Sequence, residues 1–266
     1  MFSVVIPLYN KEVSIKSTIQ SVLDQSFQEF EIIVINDGST DSSVAVVEDI
    51  NDTRIRIINQ QNQGVSAARN RGIQEARCNW VTFLDGDDLW KANHLSLFAN
   101  MIINYPHDKV FCTSHTKSKT ICKGEGTDEI VIVDDYFKEV LRHVDFLWTS
   151  ATCIHVSVFN EVGKFIEGIS RGEDLNLWAR IGKRYRIIRS CKLTAVYRID
   201  SENKLTSKRS RYNQSILSLI DLRGLKGKER VYFKQMVFKR LKSNLRHLDI
   251  KGLIRLIYKH NIELIK

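Results

Sequence analysis

Asp85-Gly86-Asp87-Asp88 sets three carboxylates within four residues, directly after the apolar run 80–84. Like charges crowded at the end of a buried strand repel one another, and a bound cation relieves the conflict. Magnesium and manganese take oxygen ligands and often only one or two carboxylates, which leaves positions for water and for phosphate oxygens of a substrate. The plain alternative is a turn followed by a helix cap at Asp88.

Four further groups could share that chemistry. In Asn36-Asp37-Gly38-Ser39-Thr40-Asp41, Gly38 permits a tight turn and Asp41 caps the next helix. Asp37, at the carboxyl end of an apolar run, is placed to accept a hydrogen bond from the N–H of a pyrimidine base. Tyr9 could stack on that base or lie against its edge, although one aromatic at a strand end also serves packing. Arg69, in Asn62-Gln63-Gly64-Val65-Ser66-Ala67-Ala68-Arg69-Asn70, carries a planar, permanently charged fork suited to a diphosphate, with a surface arginine as the alternative. Gly172-Glu173-Asp174 puts two acids at the start of a helical pattern. They either stabilise the helix dipole or supply the general base that takes a proton from an attacking hydroxyl.

These groups need elements to bring them together. The runs 3–7, 31–35, 54–58 and 80–84 are short, apolar and rich in Val and Ile, as expected of strands buried on both faces. Between them Ile15, Ile19, Val22 and Leu23 share one helical face, Val44, Val47 and Ile50 a second, and Ala68, Gly72, Ile73 and Ala76 a third. Alternating strand and helix predict a parallel, doubly wound sheet that binds ligands outside the carboxyl ends of its strands. Pro7-Leu8-Tyr9-Asn10, Asn36-Asp37-Gly38-Ser39 and the aspartate cluster then share one rim. Further on, the pattern predicts helices over 94–105 and 173–181 and strands over 109–113, 130–133, 185–188 and 195–199. Beyond Ser207 it reads as helix throughout.

With 43% apolar and 27% charged residues and two prolines in 266, the chain has the composition of a soluble protein folded throughout. The N-terminus has no basic leader or small-residue cleavage site, and no apolar run is long enough to span a bilayer. Five cysteines are odd in number, scattered and nowhere spaced as Cys-x-x-Cys, which argues against a disulfide framework or a zinc site. A reducing cytoplasm is the expected setting. From Lys204 to Lys266 there are 17 Lys and Arg against 4 Asp and Glu, a net of +13, whereas the residues before Lys204 carry 23 basic and 27 acidic side chains, a net of −4.

Taken in order, Val5-Ile6-Pro7-Leu8-Tyr9-Asn10, the Asp37 and Arg69 segments, Leu84-Asp85-Gly86-Asp87-Asp88 and Gly172-Glu173-Asp174 resemble family 2 glycosyltransferases with the GT-A fold. The resemblance runs from about Phe2 to about Ile199, and five ordered motifs are far more specific than any one. It implies an α/β fold, a Rossmann-like, mostly parallel sheet flanked by helices over 1–203; the basic segment 204–266 lies outside it and reads from its own pattern as a helical C-terminal extension. It also implies a metal-dependent, inverting transfer of the hexosyltransferase class that uses Mn2+ or Mg2+. Pro7, Tyr9, Asp37, Asn62 and Arg69 would lie at the donor nucleotide, Asp85 near the ribose, Asp87 on the metal, and Asp174 would be the base. Gly163-x-Phe165 looks like the family's approach to its acceptor-side segment. Two departures stand out. Ala92 replaces a proline common in relatives, and Asp200 stands about where they often place histidine, so Asp200 receives no role.

The donor implied is a nucleoside-diphosphate sugar, with UDP expected and GDP or dTDP as alternatives. The acceptor is a hydroxyl of a lipid-diphosphate-linked or oligosaccharide chain in surface polysaccharide assembly, such as O-antigen or capsule. The basic segment 204–266 suits an anionic membrane surface, which in a chain of this resemblance is favoured over nucleic acid. A solvated helical cap, with an oligomer contact, stays open beside it. A sugar-phosphate nucleotidyltransferase would share the topology but ordinarily has a glycine-rich loop where Pro7-Leu8-Tyr9-Asn10 stands. A non-catalytic nucleotide-sugar scaffold would have lost Asp87 or Asp174, and both are present.

Overall fold

The structure, a computed structural model, describes residues 1–118, 126–143, 146–203 and 212–265, with side chains described up to His260. Strands β1 (Phe2–Leu8), β2 (Phe30–Asp37), β3 (Ile55–Gln60) and β4 (Trp80–Phe83) run parallel in the order β3-β2-β1-β4. Helices α1 (Ile15–Leu23), α2 (Ser43–Glu48) and α3 (Val65–Glu75) make the crossovers. Because β1 pairs with β2 on one side and β4 on the other, the direction of winding reverses at β1. A crevice opens where the carboxyl ends of β1 and β4 diverge.

Alternation along β1 sets the two layers. Phe2, Val4, Ile6 and Leu8 pack with Ile15, Ile19 and Val22 of α1, whereas Val5 faces the other layer and meets Ile73 of α3. Gly72 lets α3 lie that close, because a Cβ there would sit 2.1 Å from Val5 Cγ1.

The chain continues through β5 (Leu89–Trp90), α4 (His94–Asn104), β6 (Val110–Ser118), β7 (Gly126–Val133), α5 (Tyr136–Arg142), β8 (Thr152–His155), α6 (Val156–Val162), α7 (Glu173–Gly182) and β9 (Ile187–Arg198). The sheet extends as β4-β8-β6-β9-β5, with β7 also on β9. Here, among the described residues, only β6 and β9 pair in parallel, and β8, β5 and β7 join antiparallel. The purely parallel order expected from the alternating pattern therefore holds for the first four strands and gives way to a mixed sheet beyond them. The separate strands expected at 185–188 and 195–199 are one strand, β9. Its middle, Cys191–Leu193, is only partly buried, so the apolar pattern lapses while pairing continues.

The continuous helix expected beyond Ser207 is also corrected, with 204–211 lying outside the described residues. Three single 3-10 turns, Tyr212–Gln214, Ile216–Ser218 and Leu222–Gly224, precede α8 (Gly227–Arg246) and α9 (Ile250–Ile265). Ser215 and Asp221 accept from the backbone N–H two residues ahead, a local bond that competes with helix propagation. Ile216, Leu217, Tyr232, Phe233, Val237 and Leu256 join one apolar core with Tyr136 and Phe137 of α5 and Leu177 and Trp178 of α7. Burying each such side chain contributes about 1.5–3 kcal/mol before chain entropy is counted. Among the described residues no helix is long and apolar enough to cross a membrane.

Candidate active site

The carboxyl ends of β1, β2 and β4 and the first turns of α3 and α7 surround a cleft of about 400 Å³. Pro7, Tyr9, Asp37, Asn62, Arg69, Asp85, Asp87 and Asp174 all line it. Asn10, at φ 52°, turns the chain out of β1. Asparagine tolerates that left-handed conformation, and its Oδ1 accepts the Thr40 N–H at 2.8 Å.

Arg69 is buried rather than on the surface, at 3% exposure. Its Nη2 lies 2.7 Å from Asp85 Oδ1 and its Nη1 3.1 Å from Glu173 Oε1. Its guanidinium carbon lies 5.3 Å from the centre of the Phe165 ring. Burial opposes the charge, but Asp85, Glu173 and Asp174 outweigh it and hold the guanidinium more firmly protonated than usual. Next to it, Asn70 clamps the 163–167 segment: Nδ2 donates to Phe165 O at 2.9 Å and Oδ1 accepts from Phe165 N at 3.0 Å. The Gly163-x-Phe165 segment is thereby brought against α3, beneath the cleft.

Asp37 holds the entrance to α3. Oδ1 accepts from Gln60 Nε2 at 2.7 Å and Gln63 N at 2.9 Å, and Oδ2 accepts from Gly64 N at 2.8 Å. A carboxylate offers about four lone-pair sites, so one remains on Oδ2 for a ligand N–H. The N-cap of α2 is Ser42 rather than Asp41, which stands one residue before it and accepts from Ser43 N at 3.0 Å.

The aspartate cluster divides three ways. Asp85 faces Arg69, and its own N–H donates to Ser150 Oγ at 3.1 Å. Asp87 Oδ2 accepts from Lys11 Nζ at 2.6 Å and from Ser201 Oγ at 2.7 Å. Asp88 does not cap a helix, which corrects that expectation: β5 follows it, and Asn93 begins α4. Its buried carboxyl accepts from Ser150 Oγ at 2.8 Å and from Arg198 N at 3.3 Å, tying β5 to the neighbouring loop and β9. Burial, with Asp85 and Asp87 nearby, pushes its proton affinity well up.

The fit to a divalent cation follows from the donor set. Among the described residues no three or more His, Cys, Asp and Glu side chains group into a cage. No protein partner is found there for Asp87 Oδ1 or Asp85 Oδ2. One or two carboxylate oxygens opening into a polar cleft suit magnesium or manganese that shares its remaining positions with water and a diphosphate.

The two acids of α7 have different surroundings. Gly172, at φ 78°, starts the helix in a left-handed conformation, and a Cβ there would lie 2.6 Å from Ile216 Cγ2. Glu173 is held by Arg69. Asp174 Oδ1 accepts only a local bond, from Leu175 N at 2.7 Å, among the described residues. Burial and the charge on Glu173 raise its pKa to about 7, with Arg69 opposing. A carboxyl poised there can take a proton near neutrality.

Sequence reasoning missed several residues. Lys11, whose signal is its place directly after Tyr9-Asn10, pairs with Asp87. Trp148 and Tyr197 form an aromatic wall, ring centres 5.8 Å apart, and Trp148 gave no signal because 146–149 has no periodicity. Asp200 is exposed and does not line the cleft, whereas its neighbours do act there. Lys11 Nζ and Ser14 Oγ donate to the Glu202 backbone and carboxylate, and Asn203 Nδ2 donates to Tyr9 O at 3.5 Å. Residues 201–203 thus form a strap across one edge.

With the geometry described, comparison with known proteins is informative. Residues 3–121 match the sequence model of the family described as "Glycosyl transferase family 2". An uncharacterized glycosyltransferase of Rickettsia bellii is 29% identical over 82% of this chain and 31% of its own length. Glycosyltransferase GlyA of Streptococcus pneumoniae is 37% identical over 40% of this chain and 16% of its own. The matched region thus spans a third or less of the length of these relatives. The crystal structure of S. aureus TarS 1-349 in complex with UDP-GlcNAc superposes with a TM-score of 0.69, at 19% identity, over 97% of this chain and 72% of that one. At that identity the likeness is one of fold, a mixed sheet flanked by helices of the GT-A kind. Residues 3–121 therefore carry a glycosyl transferase family 2 domain, whose motifs lie at the rim of this sheet.

Proposed function

We propose that this protein is a metal-dependent, inverting glycosyltransferase that moves one sugar from a nucleoside-diphosphate sugar to an acceptor hydroxyl. The observation that carries the reading is the convergence of Arg69, Asp87 and Asp174 on one cleft, with Arg69 joined to Asp85 on one side and Glu173 on the other. Residues 1–203 form the transferase domain and 204–266 an extension. The UDP-GlcNAc in the TarS structure supports a UDP-sugar as donor.

In this reading the base contacts Asp37 and Tyr9, with Pro7 and Asn62 shaping its pocket, and the ribose lies by Asp85. Arg69 faces the diphosphate from below. Asp174 accepts the proton of the acceptor hydroxyl as that oxygen bonds to the anomeric carbon and the bond to the diphosphate oxygen breaks on the opposite face. An α-linked donor therefore gives a β-linkage. Mn2+ or Mg2+ held by Asp87 would supply charge neutralisation at the leaving diphosphate. Arg69 acts on the same charge through a fixed, water-poor site. The acceptor is a lipid-diphosphate-linked or oligosaccharide chain in surface polysaccharide assembly at the cytoplasmic face of the plasma membrane.

The test is release of UDP from a panel of UDP-sugars with manganese. Asp87→Ala should abolish it and Asp174→Asn should reduce it by roughly 10²–10⁴-fold. Full turnover in both variants would remove the site assignment.

A further inference from the structure

Helix α9 has two apolar faces. Gly252, Leu256 and His260, at i, i+4 and i+8, are buried against the protein. On a different face Ile250, Ile254, Ile257 and Tyr258, at i, i+4, i+7 and i+8, are exposed, Tyr258 at 86%. Lys251 and Arg255 form an exposed row alongside this stripe. At the corner between α8 and α9, Leu245 and Leu248 are exposed as well, Leu248 at 83%.

Leu248 is the most telling of these. The corner is a Schellman turn, in which Leu248 N donates to Leu245 O at 3.1 Å and Asp249 N to Asn244 O at 2.9 Å. Leu248 holds the left-handed position at φ 54°, where glycine or asparagine costs least. A leucine there is strained and leaves most of its side chain in water. Its apolar side chain gains only from something outside this chain.

Charge decides what that is. Between Arg230 and His260 there are nine Lys and Arg and one acid, Asp249. Exposed Lys242, Arg246, Lys251 and Arg255 have no carboxylate partner among the described residues. A second copy of the same face would set these cations against one another. Nucleic acid would use the cations but not the isoleucines. An anionic lipid surface uses both, since acyl chains take the apolar stripe and headgroup phosphates the basic row.

We propose that the α8–α9 corner and the outer face of α9 form a docking surface for an anionic bilayer, with Leu248, Ile254 and Tyr258 inserted and Lys251 and Arg255 at the headgroups. The surface is tied to the cleft. Ser170 N donates to Gln214 O at 2.9 Å and Ile216 N to Arg171 O at 3.0 Å, so the segment leading to α8 is bridged to the rim that carries Gly172. This inference does not depend on the sugar-transfer reading, and its test uses no donor.

The experiment is co-sedimentation of the full chain with phosphatidylglycerol-containing and pure phosphatidylcholine vesicles, with a DNA duplex as a competitor and light scattering for mass. Expected is binding to the anionic vesicles alone, weakened by salt, with loss of roughly fivefold in partitioning for each of Lys251→Gln and Arg255→Gln. Leu248→Asn with Ile254→Gln should weaken binding by at least as much while leaving the melting temperature unchanged or higher, because asparagine accepts the left-handed turn. Equal binding of that variant, equal binding to neutral vesicles, displacement by DNA, or an oligomer that this variant dissolves would each overturn the proposal.

Discussion

Lys11 Nζ lies 2.6 Å from Asp87 Oδ2, and both side chains are largely shielded from solvent. The ammonium occupies the carboxylate that the proposed function gives to the metal, so lysine and divalent cation compete for it. Lys11→Met should therefore tighten manganese binding to the donor-free protein by about tenfold, the equivalent of about 1.4 kcal/mol. Calorimetric titration with Mn2+ measures it directly. Unchanged or weaker binding would mean that Asp87 is not the ligand.

Asp174 has two pH signatures. Its carboxyl must be ionised to accept a proton, so kcat/KM should rise with pH through about 7 and lose that limb in Asp174→Asn. Stability should move the other way. The group ionises near 3.8 ordinarily and near 7 in the folded chain, so the penalty on folding is absent below the first value, grows between the two and is complete above the second. Asp174→Asn should raise the melting temperature by a few degrees at pH about 8.5 and by much less at pH about 4. An equal shift at both would show that the carboxyl is not strained by its surroundings.

Arg69 neutralises Asp85 and Glu173 together. Arg69→Met leaves a half-buried Glu173 and a partly exposed Asp85 without their partner, which should cost roughly 2–4 kcal/mol. For a chain of this size that is a fall of about 5–15 °C in melting temperature. Arg69→Lys retains the charge but not the two-sided fork, so it should melt closer to the parent while the KM for donor rises. A donor KM unchanged in Arg69→Lys would remove Arg69 from the diphosphate.

Gly172→Ala meets two obstacles, the left-handed φ of 78° and Ile216 Cγ2 at 2.6 Å. A loss of about 1–3 kcal/mol is expected, read as a lower midpoint in urea. Because Gly172 begins the helix that carries Asp174, kcat should fall with it. Pairing with Ile216→Ala should restore part of the stability if the packing clash is the cause, and none if it is not.

The first four strands and their helices were legible in the sequence because each is a local pattern: a short Val- and Ile-rich run, then apolar residues on one helical face. In the irregular stretch from 105 to 170 only the strands expected over 109–113 and 130–133 were legible, as the start of β6 and the end of β7. There α5, β8 and α6 are each seven residues or fewer, and β8 is specified by pairing with β4 and β6 rather than by its own alternation. Asp88 shows the same limit. Its helix-cap reading was reasonable from neighbours in sequence, but its partners, Ser150 and Arg198, lie 62 and 110 residues away.

Residue type and spacing alone determined which groups could meet at one rim, since the carboxyl ends of parallel strands must share an edge. They also determined that the C-terminal segment is basic. Tertiary structure decided what depends on distance and dielectric. It buried Arg69 between two carboxylates and gave Glu173 a counter-ion, leaving the raised proton affinity to Asp174. It also turned one apolar face of α9 inward and the other outward. A sequence lists charges and apolar side chains; only the folded chain sets which charges are paired and which surfaces remain in water.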